Sequence, residues 1–503
     1  MSEIRRGALL SYATIVAANV SGLLLTPFII RALGNAEYGL YLLIGSIAAY
    51  LGVLDFGLNS AVTRFVAHCA ATNDRSEEAR FLGAAVLANV LAVVVVVGTG
   101  GIFYANIEAW FGDTLHASAR DEARTMLLLL IANVVFSVTA SMFSAICAGH
   151  ERFTFPKAVN LLRYALRIGL VIALLSAGGG AVTLVALDAA LSLIVLFVTA
   201  TYALRNIGAR FSFRLLDIGL VRGVLAFSAW VFILSIMGQV QWQTGQIIIG
   251  AKLGPESVAI YGVGLMFGTY YGAFSDAVTG LYLPRATRMT VANANAQELR
   301  SEMVRIGRVA LLILLLILGG FGIFGKEFLR LWAGAAYGEA WAIAMIIMLA
   351  YTVPLIQTFA SHLLQARNRV AFKAKLYVVA LPLGLGLGYI LLEAFGLLGM
   401  AVGMATGWVA ATVILNFYYH RVLGLDIPMF FSEVSKGILP AFALIVVVGG
   451  AVSLVPGSGW LHLSLCIMTF SFVYVVVMYE YGMRDEERQQ VDEFRRKFGW
   501  ARA

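Results

Sequence analysis

Two arginines one helical turn apart, Arg163 and Arg167, stand in an otherwise apolar stretch, with Asn160 a turn before them. A guanidinium forks onto carboxylate or phosphate oxygens, so the pair could grip a pyrophosphate. At about 1.5 Å rise per residue from Lys157 they lie roughly 9 and 15 Å along that helix. They could equally pair with Asp55 or snorkel toward headgroups, and the spacing leaves these readings open. A second constellation is neutral: Gln239, Gln243 and Gln246 form one stripe at i, i+4 and i+7, with Trp242 beside it. Amides can hydrogen-bond sugar hydroxyls and an indole can stack on a pyranose face. Together with Gln241 they make four glutamines in eight residues. That exceeds what interhelical hydrogen bonding needs, so the stripe reads as the lining of a wet cavity. Asp55 and Asp276, each nine residues before an arginine (Arg64 and Arg285), read as carriers of a coupling proton or sodium ion or as partners of basic residues. Nine residues of helix are about 13 Å, which excludes a bridge within one unbroken helix. No arrangement suggests catalysis. The cysteines Cys69, Cys147 and Cys466 are odd in number and scattered, so neither a disulfide framework nor a metal centre is expected.

The elements that must hold these residues are membrane helices. Apolar residues make up 60% of the chain, charged residues 13%, and the mean hydropathy is +0.86; a soluble domain carries about 25% charged residues. Stretches long enough to span a bilayer, about 20 residues each, lie near 9–30, 39–63, 81–105, 124–147, 158–176, 181–204, 223–250, 258–283, 309–330, 341–365, 374–392, 397–419, 437–455 and 461–481. No short alternating segments recur, which excludes a β-barrel. Of the 36 Lys and Arg residues, 28 fall on the N-tail, the C-tail and alternate loops, which places both termini in the cytoplasm. The same asymmetry accounts for the net charge of +8 and removes the case for nucleic-acid binding. Arg5-Arg6 precede an apolar stretch without a small-residue cleavage site, so that stretch reads as a first span.

The chain also repeats itself. Leu33-Gly34 with Tyr41 returns as Leu253-Gly254 with Tyr261, Asp55 and Arg64 as Asp276 and Arg285, and Tyr202, Arg205 and Gly208 as Tyr418, Arg421 and Gly424. Asn19 corresponds to Gln239 in this register. The expected fold is therefore an all-α polytopic membrane protein of about 14 transmembrane helices: two six-helix lobes in parallel repeat plus two C-terminal helices. The lobes are expected at 1–210 and 211–425, the extra pair at 426–483, and a basic cytoplasmic tail at 484–503. In that tail Val491, Phe494 and Phe498 lie among Arg495, Arg496 and Lys497, which suits either an amphipathic helix on an anionic leaflet or a solvated tail. Gly399, Gly403 and Gly407 form a ridge of small residues suited to close helix packing.

The segment Thr26-Pro27-Phe28-Ile29-Ile30-Arg31-Ala32-Leu33-Gly34, then Glu37-Tyr38-Gly39-Leu40-Tyr41, then Leu54-Asp55-Phe56-Gly57-Leu58-Asn59-Ser60-Ala61 resembles the polysaccharide-transport group of the MOP exporter superfamily, which includes the Wzx-type O-antigen and exopolysaccharide flippases. The resemblance implies alternating-access export of an undecaprenyl-pyrophosphate-linked oligosaccharide across the bacterial cytoplasmic (inner) membrane. It implies a cavity lined largely by spans 1, 2, 7 and 8, no cofactor, and coupling to a proton or sodium gradient, to substrate flux or to downstream consumption. Membrane lipids would be partners, with the polymerase and glycosyltransferases of the same pathway. The candidate cavity residues are Asn19, Asp55, Asn59, Arg163, Arg167, Gln239, Trp242, Gln243, Gln246 and Asp276.

Three competing readings are weighed. A multidrug or organic-cation antiporter of the same superfamily would want an acidic, aromatic cavity, which the arginines and glutamines oppose. A peptidoglycan-precursor flippase is compatible. A membrane glycosyltransferase would need catalytic groups on a large outer loop, and residues 106–123 and 331–340 show no paired carboxylates. The run Gly320–Glu327 nearly spells a P-loop but lacks the Ser or Thr that holds magnesium, so ATP hydrolysis is not expected.

Overall fold

The computed structural model describes residues 3–53, 58–212, 218–279, 288–290, 292, 294–367 and 369–497. Among these residues every regular element is a helix. In chain order they begin with α1 (Glu3–Gly52), α2 (Leu58–Thr72), α3 (Arg75–Phe111), α4 (Ala117–Gly149), α5 (Thr154–Ser176), α6 (Ala181–Tyr202), α7 (Ile218–Leu253) and α8 (Pro255–Thr279). There follow α9 (Ala296–Trp332), α10 (Gly338–Ile356), α11 (Thr358–Ala366), α12 (Val370–Val422), α13 (Ile427–Ser435), α14 (Ile438–Ser453), α15 (Gly459–Val477) and α16 (Asp485–Lys497). Nine described helices are long and apolar enough to cross a membrane, ten with the bent pair α13 and α14. The chain is a multi-span membrane protein.

Two of these helices cannot be single crossings. At 50 residues α1 would run about 75 Å, against a hydrocarbon core of about 30 Å. Gly34 breaks it with φ +78°, a conformation that favours glycine. In the 53-residue α12, Gly396 does the same with φ +58°. These breaks recur with the repeat. Gly34 and Gly254 have φ +78° and +84°, Gly208 and Gly424 +75° and +70°, and Gly178 and Gly396 +88° and +58°. The side chains follow suit: Phe155 stacks on Tyr202 at 3.8 Å between centroids, and Phe372 stacks on Tyr418 at 4.0 Å.

Compact packing divides the chain into Met1–Gly262 and Val263–Ala503. The division falls within α8, not at the end of the first repeat copy near residue 210, because α7 is fastened to the first unit. Tyr50 on α1 hydrogen-bonds Thr244 on α7. Thr114 donates to the Gly250 carbonyl at 2.9 Å. A side chain at Gly39 would meet the Pro255 carbonyl oxygen at 1.7 Å, so only glycine admits the start of α8 there.

In the second unit the glycine ridge packs as its spacing suggests. A Cβ at Gly403 would lie 2.1 Å from Gly388 N, and one at Gly407 would lie 2.8 Å from Gly384 Cα, so the two halves of α12 touch backbone to backbone. The run 320–327 lies inside the continuous helix α9 and forms no loop around a phosphate. The tail is held more firmly than a solvated segment. Arg308, 1% exposed, donates to Glu487 Oε1 at 2.7 Å and Oε2 at 3.0 Å, to the Lys436 and Gly482 carbonyls at 2.8 Å, and to Glu433 O at 3.1 Å. One guanidinium thus satisfies carbonyls left open at the end of α13 and before α16, and docks the first turn of α16 on protein. Val491 is half-buried, while the side chains of Phe494 and Phe498 lie outside the described residues.

Candidate functional site

The motif that opens the second half of α1 has a structural task for several of its residues. The Glu37 carboxylate accepts from the Ala181 amide and so caps the start of α6. A Cβ at Gly180 would come 2.5 Å from Glu37 Oε1. Tyr38 is buried, Gly39 admits Pro255, and the Tyr41 hydroxyl accepts from Arg167 Nη2 at 3.2 Å. Glu37 thereby fixes the turn between α5 and α6, and that turn sets the register of the hairpin carrying both intramembrane arginines.

The hairpin pivots on Gly178. Arg167 lies eleven residues before it and Asp188 ten after; Arg163 lies fifteen before and Ser192 fourteen after. Residues equidistant from the turn face each other across an antiparallel pair, and so these do. Arg167 is bidentate to Asp188, Nε to Oδ1 at 2.6 Å and Nη2 to Oδ2 at 3.0 Å. Its partner among the described residues is Asp188, which was not among the sequence candidates, while the alternative Asp55 lies outside those residues; its charge is balanced inside the first unit. Arg163 is different. Its Nη2 donates to Ser192 Oγ at 2.9 Å, and among the described residues it meets no carboxylate. Ser192, 1% exposed, donates in turn to Asn133 Oδ1 at 2.5 Å and accepts from Ser137 Oγ at 3.2 Å. A guanidinium carries five N–H donors, so Arg163 retains most of its hydrogen-bonding capacity and its whole charge.

An uncompensated arginine at helix-centre depth costs about 2.5–3.5 kcal/mol on the insertion scale. That cost is tolerable where the group faces water or an anion. Of the two arginines, Arg163 is therefore the one equipped to receive an anion, and Arg167 is the one that holds the hairpin. Asp188, Ser192, Asn133 and Ser137 escaped the sequence reading. The signal for Asp188 was present: a lone acid inside an apolar helix, at the hairpin-symmetric depth of Arg167.

The other candidates fall as follows. Gln246 on α7 is 7% exposed, and its Nε2 donates to Gln243 Oε1 at 3.1 Å. A Cβ at Gly262 would meet Gln246 Oε1 at 3.1 Å and Leu42 Cδ1 at 2.5 Å, so this end of the stripe is packed between α1 and α8. Gln239 and Gln243 are half-buried, as is Trp242, and Gln241 is buried. Asn19 and Asn59 are half-buried on α1 and α2, each engaged by a neighbour. Asp55 lies outside the described residues; Asp276 lies on α8 with its side chain outside them. The stripe and the arginine hairpin both belong to the first unit.

Donor atoms of His68, Cys69 and Glu77 lie within 4.8 Å of one another where α2 meets α3. Burial, then the nearby Glu77, Glu78 and Asp74 carboxylates, push the Cys69 thiol up to about 11. The thiol stays protonated at neutral pH, which disfavours the thiolate that a metal requires.

Comparison with known proteins agrees with this architecture. The chain is 22% identical over 481 residues to a probable low-salt glycan biosynthesis flippase, Agl15, of Haloferax volcanii, covering 95% of this chain and 96% of that protein. It is 20% identical over 411 residues to a putative O-antigen transporter of Shigella flexneri, covering 78% and 92%. Among solved structures, lipid II flippase MurJ in an inward closed conformation superposes with a TM-score of 0.70 at 14% identity, over 93% of this chain and 98% of that one. An inward-facing multidrug resistance MATE family transporter of the MOP superfamily gives 0.56 at 18%, over 86% and 99%. These structural likenesses establish the fold. The family model described as polysaccharide biosynthesis protein matches residues 4–274, more than half of the sequence, and the chain belongs to that family.

Proposed function

We propose that the protein is a flippase that carries a lipid-linked oligosaccharide from the inner to the outer leaflet of the bacterial cytoplasmic membrane, for surface polysaccharide synthesis. The observation that carries this reading is family membership, together with full-length relatives named as a glycan biosynthesis flippase and an O-antigen transporter. It is a transporter, not an enzyme. Fourteen spans in two six-helix lobes with a trailing pair fit the described helices once α1 and α12 are divided at Gly34 and Gly396, and both termini are then cytoplasmic. The paired left-handed glycines and the paired Phe–Tyr stacks support the two copies as structural repeats.

In this reading alternating access exposes the first unit's polar face to each side in turn. Arg163 meets the pyrophosphate, and Gln239, Gln243 and Trp242 meet the glycan from α7, with Asn19 and Asn59 beside them. Arg167 holds Arg163 in place through its bridge to Asp188. Asp55 and Asp276 are the groups to test for a coupling proton or sodium ion. A strain lacking the protein, with no redundant flippase, is expected to accumulate lipid-linked repeat units on the inner leaflet and to lose surface polysaccharide. Undiminished surface polysaccharide in that strain would overturn the assignment.

A further inference from the structure

The first unit holds a second cationic feature, where the segment that leaves α6 meets α3. A cavity of about 300 Å³ is lined by Arg75, Glu78 and Ala79 of α3 and by Ile207, Gly208 and Arg210 of the segment that leaves α6. That segment is fixed in place. Gly208 turns it with φ +75°, Ser212 N donates to Ala79 O at 2.9 Å, and Ala209 and Phe211 join the apolar cluster around Phe81 and Ile146. A Cβ at Gly83 would meet Ser212 O at 2.2 Å, so α3 and the segment touch directly.

The charges in the cavity do not cancel. Both oxygens of Glu78 are engaged, Oε2 by Arg75 Nη1 at 3.1 Å and Oε1 by His150 Nε2 at 2.7 Å, and its side chain is only 3% exposed. Arg75 keeps its side chain 63% exposed beyond that bridge. Arg210 is exposed and makes no hydrogen bond or ion pair among the described residues. One buried carboxylate thus faces two arginines, and a fork-shaped donor lines the cavity with no partner among the described residues.

We propose that this cavity is a phosphate site, occupied by the phosphate of an anionic lipid headgroup or by a free phosphate. Arg210 and the outer edge of Arg75 grip it from two elements. Bound there, the anion ties α3 to the segment leading into α7 and stiffens the joint between the two repeat copies. None of the cavity's lining residues is among the cargo-binding candidates named above, and the proposal does not rest on the flippase reading.

The test uses the full chain in detergent micelles, with native mass spectrometry and melting as readouts. The probes are dihexanoyl phosphatidylglycerol and inorganic phosphate, applied to wild type, Arg210→Ala, Arg210→Lys and Arg75→Ala/Arg210→Ala. Because Arg210 is exposed and has no partner among the described residues, Arg210→Ala should melt like wild type without ligand. It should bind the responding probe roughly tenfold more weakly, the scale of one lost charge-assisted hydrogen bond, and Arg210→Lys should fall between. Displacement of the lipid by inorganic phosphate identifies the phosphate group as the recognised unit. Lipid binding that resists displacement identifies the headgroup. Equal affinity of wild type and Arg210→Ala for both probes, or no binding of either by wild type, overturns the proposal. Transport plays no part in the readout, so this result and the flippase assignment stand or fall separately.

Discussion

Removal of Arg167 and removal of Arg163 should have opposite signatures, although the two side chains lie one turn apart. Arg167→Ala leaves Asp188 without its cation. Both side chains are mostly buried, 20% and 15% exposed, and breaking such a pair from one side costs about 3–5 kcal/mol. At about 2–4 °C per kcal/mol for a unit of this size, the low end of that range lowers the melting temperature by roughly 6–12 °C. Asp188→Leu should do the same from the other side. The double variant Arg167→Leu/Asp188→Leu removes both charges and should recover to within about 1 kcal/mol of wild type, a coupling of about 5 kcal/mol or more given single losses of at least about 3 each. Arg163→Ala loses one charge-assisted hydrogen bond to Ser192, worth about 1.5–3 kcal/mol. It also removes an uncompensated cation that costs about 2.5–3.5 kcal/mol at helix-centre depth. The two terms nearly cancel, so Arg163→Ala should melt close to wild type while surface polysaccharide falls. Fluorescence-monitored thermal unfolding of the purified variants, beside surface polysaccharide at matched protein levels, reads both quantities. An Arg163→Ala variant that melts as low as Arg167→Ala, or a double variant no better than its single parents, would refute the division of labour.

Two further outcomes test the packing. Gly403→Ala places a methyl 2.1 Å from Gly388 N and should destabilise by about 1–3 kcal/mol or more, whereas Gly386→Ala meets nothing within 4 Å and should be neutral; thermal unfolding compares them. Glu487→Gln leaves the buried Arg308 guanidinium without its carboxylate and should release the tail, seen as faster amide hydrogen exchange over residues 483–497; unchanged exchange would show that the carbonyl contacts alone hold it.

That the chain is an all-helical, multi-span membrane protein was legible because the bilayer imposes it. Length and hydropathy locate helices wherever every backbone group must be satisfied internally, and the breaks at Gly34 and Gly396 fall where the apolar runs separate. The repeat was legible from a few residues, and the structure supplies its reason in glycines that adopt positive φ at matching places. What a face meets was less legible. Periodicity puts Gln239, Gln243 and Gln246 on one stripe, yet it does not tell that Gln246 abuts Gly262 and Leu42. The tail shows the same limit: its composition is basic, but what docks it is Glu487, whose partner Arg308 lies 179 residues away. Asp188 is the instructive case. Hairpin symmetry about Gly178 points to it, whereas charge type alone offers Asp55 as readily.

The two α-hairpins at matching places in the sequence repeat are joined by different means. Around Gly396 the halves of α12 close through Gly384, Gly388, Gly403 and Gly407, with backbone against backbone. Around Gly178 the hairpin of α5 and α6 is instead joined by Arg167–Asp188 and by the Arg163–Ser192–Asn133 chain. If helix packing were the only requirement, the glycine solution would serve in both places, since close approach needs no charge and buries none. The ionic hairpin costs desolvation that the other avoids. Its distinctive product is a cation fixed in an apolar span with donor capacity to spare. The departure from symmetry thus falls on Arg163, and the surface-polysaccharide measurement on Arg163→Ala decides whether the cargo requires it.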